Sequence, residues 1–376
     1  SKVNMFKVIP VETQAQRRIF INFPYHFYRE DPFWVPPLRR ENSKQFDPGK
    51  NPFLDHCRYQ LFLLEKDGRA VGRIAAFIDD LAVDFWDEKI GLFGYYECPE
   101  DPEASAALLG AASAWLVDQG MESMRGPWTF ISQEWGLVVE GFRPEPVIMG
   151  PYNPAYYPGQ LEAFQLEKIK DLLCYYISGP EGYEIPERIL KQTDRVAERY
   201  GITIRKFDMI RFDEEVRILL ELSNNSIIHN WGYSPVTDPE AQAMAMDLKQ
   251  IVQPRGVLFA EDQAGDVVGF AIALPDINTV LKNMNGRLFP LGWAKLLWHL
   301  PRLTQYRMFA LGVIPEYQGR GVDALLYRAL YESLYSPEMW MEINYVLEDN
   351  YPMNNAIKKL LAKPLRRYRI YQKNIS

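Results

Sequence analysis

The chain has 376 residues, 47% of them hydrophobic, which is long for one domain and enough to build two cores. Its 49 acidic and 42 basic residues leave a net charge of −7, which argues against a nucleic-acid partner held by bulk charge. No apolar run reaches transmembrane length and the N-terminus lacks a signal-peptide pattern, so a cytoplasmic protein without a membrane partner is expected.

In chain order, residues 6–10 read as a strand and 13–28 as a helix that ends before the loop DPFWVPPL. Residues 59–66 and 70–78 form a hairpin around Asp67-Gly68, a strong turn signal. A strand near 90–97, a helix over 103–119 and a strand near 122–126 follow. The segment 127–160, rich in aromatics, Gly and Pro, either packs between elements or walls a substrate cleft. Pro186 and Gly201 bracket a helix over 186–199. Next come a strand (202–212), helices over 213–229 and 238–252, and a hairpin over 256–274 around Gly265. An amphipathic segment then runs through Trp293, Leu296, Leu297 and Leu300. A strand reaching Val313, a helix from Val322, a strand over 338–347, a helix near 352–362 and a last strand RRYRIYQ complete the chain.

Two stretches repeat. Arg69-Ala-Val-Gly72 and the strand after it mirror Asp266-Val-Val-Gly269, and Ala107-Leu108-Leu109 mirrors Ala324-Leu325-Leu326. The offsets are 269 − 72 = 197 and 324 − 107 = 217, so the second half carries about 20 extra residues, beginning near Pro275. Function tends to be grafted on such an insertion.

The junction Gln318-Gly319-Arg320-Gly321 carries the chemistry. Glycine lets backbone approach a ligand, and the first N–H groups of the helix, at Val322 and Ala324, have no internal partner and lie at the positive end of its dipole. A pyrophosphate fits there. A Walker loop is excluded because no Lys-Ser/Thr follows, and so is GxGxxG. The equivalent turn of the first half puts Asp101, Glu103 and Pro102 where the second has glycine and arginine, and carboxylates repel phosphate.

Strand, Gln-x-x-Gly and helix in this order resemble the acyl-CoA motif of the GCN5-related N-acetyltransferases (GNAT superfamily), Gln/Arg-x-x-Gly-x-Gly/Ala, at Gln318, Gly321 and Asp323. Asp323 stands where the pattern has a small residue, and its side chain is expected to turn to solvent. The resemblance implies an α/β fold of two tandem acetyltransferase-like domains, each a mostly antiparallel twisted sheet flanked by helices. The boundaries would be a degenerate repeat at 1–180, a linker helix at 181–201 and an acyl-CoA-binding repeat at 202–376. It also implies acetyl-CoA, or another acyl-CoA, held at Leu311, Val313, the 318–322 turn, Ala324 and Asn350. The Val313 amide would polarise the thioester carbonyl, and the acceptor would be an amine of a small molecule or peptide.

Glu342 and Asn344 alternate on one face of the apolar strand MWMEINYV. Glu342 reads either as a general base raised by burial or as half of a salt bridge. The general-acid tyrosine of the family has no match, and Tyr351 and Tyr345 are the nearest substitutes. Trp231, Tyr233, Asn278, Arg287 and Asn344 are the acceptor-binding candidates. No metal is expected, since Cys57, Cys98 and Cys174 and the four histidines show no ligand spacing. Two other readings remain: an acyl-CoA sensor without catalysis, and an aminoacyl or peptidyl transferase of the same fold.

Overall fold

The computed structural model describes residues 5–131, 134–288 and 291–376. Phe289 and Pro290, inside the expected insertion, lie outside the described residues. In the first half, β1 (Phe6–Pro10), α1 (Gln14–Phe27) and α2 (Arg39–Lys44) precede the hairpin β2 (Cys57–Lys66) and β3 (Arg69–Asp79). Then follow α3 (Asp80–Trp86), β4 (Ile90–Glu97), α4 (Pro102–Asp118), β5 (Ser123–Gly126), β6 (Leu137–Glu140), α5 (Tyr157–Ala163) and β7 (Glu167–Ser178). The second half has α6 (Glu187–Tyr200), β8 (Thr203–Lys206), α7 (Phe212–Ile227), α8 (Asp238–Lys249), β9 (Val257–Glu261) and β10 (Val267–Pro275). It continues through α9 (Asn278–Leu281), α10 (Gly292–His299), β11 (Gln305–Val313), α11 (Val322–Leu334), β12 (Trp340–Leu347), α12 (Tyr351–Lys359) and β13 (Lys363–Asn374).

Local chemistry accounts for most ends. Thr13 and Gln16 form a capping box on α1, and Thr237 and Glu240 form one on α8. The expected strand over 202–212 stops at Lys206, because the Asp208 carboxylate accepts the Ile210 N–H and turns the chain into a short 3₁₀ helix. The acidic turn of the first half behaves as its charges require: Asp101 accepts the amides of Glu103 and Ala104, occupying the donors a phosphate would need.

All the strands join one sheet, in the order β1-β2-β3-β4-β5-β13-β7-β12-β11-β10-β9-β8, with β6 beside β13. The two halves exchange their last strands. β7, from the first half, pairs with β12, while β13, the end of the chain, pairs with β5. Each half is therefore completed by the other. The helix expected as a linker is α6, and it packs on α11: Arg328 reaches from α11 to the Leu190 carbonyl, Thr193 and Asp194.

Side chains alternate across the second half of the sheet and separate two cores. Leu258, Ala260, Ala271 and Met308 meet α6 and α11 on one face. Val257, Phe259, Phe270 and Ile272 meet α7 and the α9–α10 insertion on the other.

Candidate acyl-transfer site

β11 and β12 run parallel and pair only from Gln305–Met308 to Trp340–Ile343. Beyond that point they part. Ile314 donates its N–H to the Val268 carbonyl on the β10 side, so by the alternation of an antiparallel ladder the amides of Val313 and Leu311 face the opening. A bulge at Phe309, between the pairs Ile272–Ala310 and Ala273–Met308, sits at the same point. The Val313 carbonyl is met by Gln318 Nε2 at 3.0 Å, so this side chain braces the turn instead of reaching outward.

A cavity of about 730 Å³ fills the opening and draws lining residues from both cores, Ile189 and Tyr327 from one and Phe207 and Phe212 from the other. It therefore passes through the sheet layer where β11 and β12 separate. Its size is typical of a site for a sizeable small molecule.

At one end lies the start of α11. Gly321 is the N-cap, at φ +85°, where a side chain is strained, and it offers no side-chain cap to the amides that follow. Gly321 and Ala324 line the cavity, whereas Gly319 and Arg320 do not. Arg320 is exposed, its guanidinium 5.3 Å from the ring centres of Tyr200 and Tyr317. Val322 is a buried core residue, so only its backbone can serve a ligand. The expectation for Asp323 is corrected: it is half-buried, lines the cavity, and accepts the Ala324 N–H at 2.9 Å, because a short side chain in the first turn finds an unpaired amide close by. The turn offers a phosphate group its glycine and the amides before Ala324, while the Asp323 carboxylate engages the Ala324 donor and opposes an anion on that side. Asn350 also lines this end, and its Oδ1 caps α12 at Met353 N.

The middle of the cavity holds its polar groups. Buried Arg307 donates from Nη1 to the Ile148 carbonyl at 2.8 Å. Buried Asn344 donates to Glu342 Oε2 at 3.0 Å and to the Tyr368 hydroxyl at 2.8 Å, which leaves its Oδ1 without a protein partner. Trp135 Nε1 is a buried donor in the same condition. Such groups are rare in folded proteins, and here both residues line one cavity. Trp135 stacks on Trp128 at 4.3 Å. Beside it in sequence, Glu134 is half-buried with its carboxyl enclosed, and burial raises that group to about 7 against the opposing pull of Arg307.

The far end is apolar: Phe207, Phe212, Val216, Leu219 and Leu248 come from the α7–α8 layer. The loop carrying Trp231 and Tyr233 closes one side and is pinned to the first half. The Trp231 ring lies 4.9 Å from the Arg125 guanidinium, and Trp86 Nε1 donates to the Tyr233 carbonyl at 2.7 Å.

Of the sequence-derived candidates, Leu311, Gly321, Ala324, Asn350, Trp231, Tyr233 and Asn344 converge on the cavity. Others do not. Glu342 is fully buried, with Arg366 Nε on Oε1 at 2.9 Å and Asn344 on Oε2, so the salt bridge is what this carboxylate makes. Tyr351, the first residue of α12, is 68% exposed and does not line the cavity. Asn278 donates to the Pro146 carbonyl, and Arg287 is exposed away from the cavity. Sequence reasoning named Trp135 only as part of the aromatic segment and missed Arg307 on the cavity wall and Glu134 beside it. The aromatic segment over 127–160, read as a possible cleft wall, was the available signal for Trp135 and Glu134. Among the described residues no group of His, Cys, Asp and Glu has the arrangement of a metal site.

A tandem acetyltransferase-like fold split by a splayed strand pair and a glycine-opened helix is the architecture of the GNAT superfamily. No family model matches the chain. It is similar over its whole length to the solved tandem GNAT protein from the clavulanic acid biosynthesis pathway, with a TM-score of 0.56, 12% identity and 99% of each chain covered, a likeness of fold. It is 37% identical over 366 residues to Protein YghO of Escherichia coli (strain K12), covering 95% of this chain and 93% of the other. It is 34% identical over 381 residues to the bacterial ceramide synthase of Caulobacter vibrioides (strain NA1000 / CB15N), covering 97% of each. The chain belongs to the family of these two proteins, and its fold is that of tandem GNAT proteins.

Proposed function

We propose that the protein is an N-acyltransferase that moves an acyl group from acyl-CoA to the amine of a long-chain, lipid-like acceptor. The observation that carries this is the single cavity joining the glycine-opened start of α11, through a polar middle, to an apolar lobe. Ceramides are amides of long-chain amino alcohols, and the name of one relative is in keeping with such an acceptor. The acetyl group, implied by the resemblance, is the shortest donor to compare.

In this reading Gly321 and the first amides of α11 hold the phosphates, and the coenzyme supplies a thioester. The amides of Leu311 and Val313 lie along the opening, where a fixed N–H aimed at developing oxyanion charge lowers the barrier by a few kcal/mol. Asn344 Oδ1 and Trp135 Nε1 offer one acceptor and one donor to the polar head of the amine, while the apolar lobe receives its chain. Glu134, from the first half, is the proposed base. A carboxylate poised near 7 takes the proton that the attacking nitrogen sheds as the C–N bond forms and the C–S bond breaks.

The test is release of free thiol from palmitoyl-CoA and acetyl-CoA with sphinganine or with ethanolamine as acceptor. Turnover is expected with sphinganine and not with ethanolamine, and the opposite preference would overturn the lipid-like acceptor. For Glu134, activity should rise with pH through about 7, because the carboxyl must lose its proton to act. Glu134→Gln should lower kcat by about 10²-fold and flatten that rise. An unchanged pH profile in the variant would remove Glu134 from the reaction.

A further inference from the structure

We propose that the insertion between β10 and β11 docks the protein on an anionic phospholipid surface through the outer face of α10. No helix of the described residues is long and apolar enough to cross a membrane, so the contact is peripheral. In α10 only Leu296 is buried, in the core that also holds Phe207 and Phe212. Trp293, Leu297 and Trp298 are 46%, 62% and 57% exposed, and Leu291 just before the helix is 77% exposed. At about 100° per residue, Trp293, Leu297, Ala294 and Trp298 fill one outward arc. Two tryptophans and two leucines facing solvent side by side are unlike scattered surface hydrophobes.

The charge around them fits lipid. Residues 277–304 contain Lys282, Arg287, Lys295 and Arg302 and not one Asp or Glu, in a chain whose net charge is −7. Lys282 pairs with Glu145, whereas Lys295 and Arg287 are exposed, and Arg302 lies over the Trp298 ring at 4.2 Å. A helix with Trp and Leu outward and basic residues alongside is the pattern of an interfacial anchor. Each basic residue near an anionic surface adds about fivefold in binding. The sister repeat has only the short α3 between its corresponding strands. Position gives the anchor a purpose: Leu296 belongs to the core layer whose Phe207 and Phe212 wall the apolar lobe. A membrane-resident chain would meet the protein on the side where that lobe is built.

The proposal stands on α10 and is tested without catalysis. The full chain is floated with vesicles of phosphatidylcholine alone or mixed with phosphatidylglycerol, beside Leu297→Glu/Trp298→Glu and Lys295→Glu/Arg302→Glu. Wild type should float with the anionic vesicles, less so at high salt. The apolar double variant should bind at least tenfold more weakly, and the charge-reversed one should lose the preference for phosphatidylglycerol. Thermal melts equal to wild type show that the folds are intact. Wild type that stays with the protein fraction in both mixtures overturns the proposal, as does an apolar variant that floats normally. Sedimentation that finds a wild-type dimer, split by Leu297→Glu/Trp298→Glu and indifferent to vesicles, assigns the face to a second copy instead. Acyl transfer to detergent-dispersed sphinganine should persist in both variants. Flotation without any acyl transfer would keep the docking surface and remove the proposed chemistry.

Discussion

Glu342→Gln is expected to destabilise the folded protein by about 3–5 kcal/mol, the usual consequence of removing one partner from a buried ion pair. The carboxylate and Arg366 are both buried, on β12 and β13, the two strands that flank β7. Arg366 also donates to the carbonyls of Gly141, Pro144 and Glu145, so the pair ties the first half of the chain onto strands of the second. A glutamine fills the same space but leaves the guanidinium charge uncompensated where water does not reach. Unfolding in urea measures the loss. The double variant Glu342→Gln/Arg366→Met should recover much of it, since no charge then remains buried. A variant as stable as wild type but slow in acyl transfer would return Glu342 to the reaction.

The second large effect concerns the coenzyme. Gly321→Glu is expected to weaken acyl-CoA binding by about 100-fold, because it places a carboxylate at the cavity end where the first amides of α11 are open. A Cβ there meets Val196 Cγ2 at 2.9 Å, and φ is +85°, so some strain accompanies the charge. Gly319→Glu supplies the control. Gly319 has φ +75°, open space around a Cβ, and no place on the cavity wall. Comparable backbone strain with different positions separates a binding effect from a folding one. Titration calorimetry with palmitoyl-CoA should show binding lost only for Gly321→Glu. Equal losses in both would place the phosphates along the outer turn, and no loss in either would move the coenzyme elsewhere.

The elements that could be read from the sequence are those whose causes lie within a few residues. Asp67-Gly68 makes a hairpin wherever the flanking strands pair, Asp101 occupies the amides just after it, and Gly321 opens the helix that follows. The internal repeat is legible for the same reason, since each half restates the local pattern. Glu342 shows the limit: its spacing in an apolar strand is equally good for a base or an ion pair. What separates them is Arg366, 24 residues on and across an intervening strand. Asp323 was misplaced because helical position says that an acid is favourable there and not which way it points.

The sequence by itself determined a duplicated α/β chain with a glycine-opened helix in one half and an acid-capped one in the other, because glycine, charge and apolar period act on the nearest backbone. The tertiary structure decided which side chains meet. Exchange of β7 and β13 between the halves brings the 134–135 segment beside Arg307 and Asn344. The parting of β11 and β12 opens a cavity that no local rule encodes. Both follow from joining two incomplete half-sheets edge to edge into one sheet, a choice made by packing summed over the whole chain.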